Sequence, residues 1–170
     1  MRRYVPMFAI VISVLTAWVA FISAAPKTRA SGVNVQEQER RVKMKDLPAA
    51  VQKTVSEQSK GAVIRGLSQE IEDGKTYYEV ELKVNGHNKD VLMDPTGAVV
   101  EIEEQVTLDS LPSAVKTTIV QNARGGKIGV IESITKGDTV EAYEAHVRRA
   151  GKSFEIKVNP DGQLISKGKD

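Results

Sequence analysis

Cysteine is absent from the 170 residues, and that removes several chemistries at once. There is no disulfide, no thiolate nucleophile and no Cys-based structural zinc. Aromatic residues make up only 5% of the chain, too few to build stacking platforms for single-stranded nucleic acid. Histidine occurs twice, as His87 and His146. Net charge is scarce too. The formal +2 owes its sign to Arg2 and Arg3; without them 22 basic residues face 22 acidic ones. A neutral body with no basic run excludes nucleic acid as the main partner. Without cross-links the fold must rest on its core. A body of about 145 residues buries roughly two thirds of its chain surface on folding, which is sufficient.

What is present begins with an export signal. Arg2-Arg3 precede an apolar run from Met7 to Ile22, and Ser23-Ala24-Ala25 is a small-residue patch, the pattern of a secretory signal peptide over 1–25. The alternative is an uncleaved anchor, because Tyr4 to Ala25 matches the ~20 residues that a span needs. Pro26 disfavours a cut directly before it; a cut after Ala24 or Ala30 avoids it. Either way the body is expected outside the cytoplasm, periplasmic or secreted, and reaches a membrane only through residues 4–25 if they are retained. Residues 26–42, rich in Lys, Arg, Gln, Glu and Ser, are expected to form a flexible leader.

The remainder reads as a repeat. Leu47, Val51 and Val55 form an apolar stripe on a helix that starts at Leu47-Pro48 and stops at Lys60-Gly61. A strand over 62–71 follows, with a bulge expected near Gly66. The turn Glu72-Asp73-Gly74-Lys75 leads into Tyr78, Val80, Leu82 and Val84, which alternate with Glu79, Glu81 and Lys83. Turns at Asn85-Gly86 and Asp94-Pro95-Thr96-Gly97 bound two further strands. The order returns 64 to 65 positions later: Leu111, Val115 and Ile119; Tyr143-Glu144-Ala145; Asn159-Pro160-Asp161-Gly162. The expected fold is α+β, with two tandem units, 43–106 and 107–170. Each is one helix packed on a four-stranded antiparallel sheet.

Each half resembles the PepSY-like family grouped with the β-lactamase-inhibitor-like proteins. The resemblance rests on Leu47-Pro48-Ala49-Ala50-Val51, Tyr77-Tyr78-Glu79-Val80 and Asp94-Pro95-Thr96-Gly97, with their counterparts from Leu111, Tyr143 and Asn159, and covers about residues 43–168. It implies small extracytoplasmic α+β modules without catalytic residues, some of which bind or inhibit exported peptidases or β-lactamases.

Candidate chemistry along the chain is thin. Glu144, His146 and Arg148 share one strand face, but one His and one Glu are too few ligands for zinc, so no metal site and no cofactor are expected. His87 lies in a turn. The Pro-Gly turns fail the calcium-loop pattern, since Lys157 or Leu92 would occupy the first ligand position. The carboxylates Glu79 and Glu81, and Glu101, Glu103 and Glu104, read as solvated strand faces. With no nucleophile elbow, P-loop or HExxH motif, no catalytic residue is assigned and an enzyme is not expected. The remaining candidate is a surface: Glu79, Glu81, Lys83, Glu144, His146 and Arg148 lie on one face if the two sheets join. The expected function is non-catalytic docking of an exported protein, with inhibition of an extracytoplasmic hydrolase as its sharper form. The rival is an envelope ligand or metal-ion sensor.

Overall fold

A computed structural model of the chain describes residues 38–168. The signal or anchor expected over 1–25 lies outside the described residues. Among the described residues no helix is long and apolar enough to cross a membrane.

Among the described residues, nine strands form one antiparallel sheet in strict chain order. They are β1 (Gln38–Arg41), β2 (Val63–Glu72), β3 (Lys75–Val84), β4 (His87–Met93), β5 (Val99–Val106), β6 (Lys127–Lys136), β7 (Thr139–Arg149), β8 (Lys152–Val158) and β9 (Leu164–Lys167). Two helices, α1 (Ala49–Gln58) and α2 (Ser113–Ala123), interrupt the meander after β1 and after β5. The two four-stranded sheets expected from the repeat are not separate. β5 pairs with β6 from Ile102↔Thr135 to Val106↔Ile131, so unpaired edges that would otherwise be exposed at the joint are satisfied.

Residues 38–42 depart from the flexible leader expected there. β1 adds to the free edge of β2, from Gln38↔Ile71 to Arg41↔Ser68, and the Val42 amide donates to the Leu67 carbonyl at 3.0 Å. The bulge expected near Gly66 lies between Ile64 and Gly66. There the missing side chain lets the Arg41 guanidinium cross the strand and reach Glu81 at 2.7 Å.

Both helices cover the same sheet face. Val51 and Val55 of α1 pack with Leu47 on Val80, Leu82, Val91 and Met93. Val115, Ile119 and Ala123 of α2 pack with Leu111 on Ile131, Ala145, Val147, Phe154, Ile156 and Val158. Ile102 joins the first cluster and Val106 the second; two residues four apart on one strand point the same way, so the clusters share a side. Each fully buried Val, Leu or Ile contributes roughly 1.5–3 kcal/mol of transfer free energy. Pro48 and Pro112 stand just before the helices, where their carbonyls accept from Gln52 and Lys116 at 2.9 and 3.0 Å. A short 3-10 turn precedes each, at Met44–Asp46 and Leu108–Ser110, in stretches where the sequence shows only a helix start and a linker.

Candidate functional site

The sheet face opposite the helices is a carboxylate field. Register sets its rows: Glu81↔Asp90↔Glu103↔Ile134↔Ala142 is one, and Gln105↔Glu132↔Glu144↔Lys157 another. All six residues expected to form a docking surface share this face. Glu79, Glu81 and Lys83 come from β3, and Glu144, His146 and Arg148 from β7. Arg148 is exposed and the other five are half-buried.

The acids here are not the solvated ornaments expected from alternation. Glu70, Glu101 and Glu132 are only 7%, 5% and 5% exposed. Glu101 is held by Lys136 at 3.0 Å, which in turn raises the Lys136 pKa through that hydrogen bond. Glu79, by contrast, has its pKa driven far above the carboxylate range, first by burial, then by a hydrogen bond to Glu70 and the charges of Glu70, Asp90 and Glu81. The Ser68 hydroxyl lies 3.2 Å from both Glu70 Oε1 and Glu79 Oε2, yet it has one proton to give. A protonated Glu79 supplies the donor that this trio otherwise lacks. Burial and the charges of Glu132, Glu101, Glu144 and Asp90 raise Glu103 in the same way. Asp90 is pushed up to about 7 by burial and by Glu132 and Glu81. The burial has a visible cause at Glu103: its cross-strand neighbour Ile134 is 2% exposed although it lies on the face without helices.

Toward β8 the field gains a histidine. His146 Nε2 lies 3.4 Å from Glu132 Oε2, and its Nδ1 lies 3.4 Å from Glu155 Oε1. Hydrogen bonding to Glu132 and then Glu155 outweighs burial and raises the imidazole pKa to about 10. Lys157 Nζ stands 3.6 Å from Glu144, itself raised mainly by burial. His87 takes no part; it is exposed at the start of β4.

Sequence reading missed Glu70, Asp90, Glu132 and Glu155. Alternation could assign each to a face, but not its neighbours, because those come from other strands. The turn reading of Asp94-Pro95-Thr96-Gly97 is explained: Asp94 Oδ1 already accepts from the Thr96 amide, the Thr96 hydroxyl and the Ala98 amide at 2.8, 2.6 and 3.1 Å.

An antiparallel sheet backed by helices on one face, with its acids gathered on the other, defines a small two-layer α+β protein. The chain belongs to the putative β-lactamase-inhibitor-like, PepSY-like family, whose pattern matches twice, at residues 30–101 and 76–166. Solved structures share the fold. A protein from Bacteroides eggerthii, described as one of the "putative periplasmic proteins", aligns with a TM-score of 0.59 and 19% identity over 72% of this chain and 88% of its own. A DUF2874 family protein from Bacteroides ovatus gives 0.56 and 21%, over 72% and 86%. A BLIP-like protein from Bacteroides fragilis gives 0.51 and 18%, over 70% and 83%. No curated protein matches.

Proposed function

We propose that this is a non-catalytic extracytoplasmic binding module that docks a basic surface of an exported protein on its carboxylate-rich sheet face. One observation carries the reading. The helices occupy one side of a continuous sheet, and the other side gathers acidic residues from β2 to β8 whose carboxyls lean on one another. Crowding keeps some of these carboxyls protonated while the face is free, and a partner of opposite sign favours their ionised form. The extracytoplasmic setting draws on the export pattern of residues 1–25 and on the description of the B. eggerthii neighbour as periplasmic. Inhibition of an exported hydrolase is the sharper form, supported by the family's β-lactamase-inhibitor-like description and the BLIP-like neighbour.

Fluorescence anisotropy with labelled Lys/Arg-rich peptides tests the docking. Affinity is expected to fall with added salt. It should weaken about tenfold or more in the double variant Glu81→Lys/Glu144→Lys, since reversing two facing charges costs over 1.4 kcal/mol. Equal affinity for the variant and the parent would remove the reading. Assaying exported peptidases and β-lactamases with and without the protein tests inhibition separately.

A further inference from the structure

We propose that Glu144, His146 and Glu155 form a three-ligand site for a transition-metal dication of the Zn²⁺ type, with Glu132 holding the imidazole from behind. The site stands whether or not the face docks a protein. Counting along β7 alone finds two ligands, Glu144 and His146. The third comes from β8, because antiparallel register sets Glu155 directly opposite His146. One ligand atom from each of the three residues lies within 4.8 Å of the others.

The spacing of these atoms suits a bound metal. The Nδ1 of His146 and Oε1 of Glu155 stand 3.4 Å apart. Two ligands at about 2.0–2.1 Å from a tetrahedral zinc are separated by about 3.3–3.4 Å, so an ion fits between these atoms with little movement. Glu132 completes the arrangement: it is 5% exposed, and its Oε2 faces Nε2 at 3.4 Å. Zinc takes the place of the Nδ1 proton that faces Glu155, while Glu132 keeps the proton on Nε2, the carboxylate–histidine–metal relay. One imidazole with two carboxylates favours zinc and its neighbours over calcium, which selects oxygen alone. Three protein ligands leave a fourth position for water. Lys157, at 3.6 Å from Glu144, is the built-in competitor, an ammonium beside a carboxylate that the metal needs.

The test uses the full-length protein, purified without a polyhistidine tag and stripped with chelator. Calorimetry with Zn²⁺ should show one ion per chain, and Ca²⁺ should not displace it. With only two histidines, imidazole NMR assigns the site: His146 should shift on zinc addition and His87 should not. His146→Gln and Glu155→Gln should each weaken binding by about 100-fold, and Glu132→Gln by about 10–100-fold. Lys157→Met should tighten it, a gain that a misfolded variant cannot mimic. Absence of zinc binding, or binding unchanged in both His146→Gln and Glu155→Gln, overturns the proposal.

Discussion

The hydroxyl of Thr54 donates to the carbonyl oxygen of Gly97 at 2.7 Å, tying the middle of α1 to the turn between β4 and β5. In the second half Thr118 donates to Gly162 at 2.6 Å. Both glycines have positive φ, +81° and +87°, and lie against a helix backbone: an added Cβ would meet the Ala50 carbonyl oxygen at 2.7 Å or the Ala114 Cβ at 2.6 Å. The duplicated Pro-x-Gly turns therefore dock helix to sheet as well as reversing the chain.

Gly162→Ala is expected to destabilise by about 2 kcal/mol or more, through backbone strain and overpacking together. Gly86→Ala, at φ +87° with nothing within 4 Å, should cost only about 1 kcal/mol. Thr118→Val should cost about 1–3 kcal/mol by leaving a carbonyl without its donor. Urea unfolding measures all three; equal losses at Gly86 and Gly162 would refute the docking role.

Ala150→Asn should stabilise by about 0.5–1 kcal/mol. Ala150 holds φ +49° in the hairpin turn before Gly151, the position Asn85 holds at +49° in the first half. Asn tolerates that region and Ala does not. A lower urea midpoint for the variant would contradict this.

Stability should fall as pH rises from about 5 to 9. Glu79, Glu103 and Asp90 have pKa values raised in the folded state, so the fold binds protons that the unfolded chain releases. Their contribution is full below the ordinary carboxylate range and is lost as pH climbs through the folded values, for Asp90 about 7. His146, raised to about 10, adds a loss above its ordinary 6.5. Each extra proton held by the fold gives a slope of about 1.4 kcal/mol per pH unit. Thermal melts in chelator check the sign; a melting temperature rising across this range would contradict the burial of these acids.

Ile134→Ala should flatten that pH dependence. The side chain that shields Glu103 becomes a methyl, water reaches the carboxyl, and its pKa drops toward the ordinary range. The variant should lose stability at pH 5 and less at pH 9. An unchanged slope would show that Ile134 is not the shield.

Much of this architecture is legible in the sequence. The helical stripes of Leu47, Val51, Val55 and Leu111, Val115, Ile119 are local and periodic, and they mark the buried sides of α1 and α2. The bulge by Gly66 and the Asp73-Gly74 turn follow from local chemistry as well. Strand β1 was hidden because Gln38–Arg41 carries no apolar pattern; it is ordered by an edge and an ion pair contributed from elsewhere. The single sheet was hidden because nothing in 105–109 states that β5 and β6 pair. The acidic field was legible only as alternating Glu. Its burial, and the meeting of His146 with Glu132 and Glu155, depend on register across strands that no single stretch encodes.

The most direct measurement is an NMR titration of the isotope-labelled protein with a Lys/Arg-rich peptide. Docking on the acidic face predicts shifts concentrated at Glu81, Asp90, Glu103, Glu132 and Glu144, with α1 and α2 unmoved. Shifts confined to the helices, or none at saturating peptide, would contradict it.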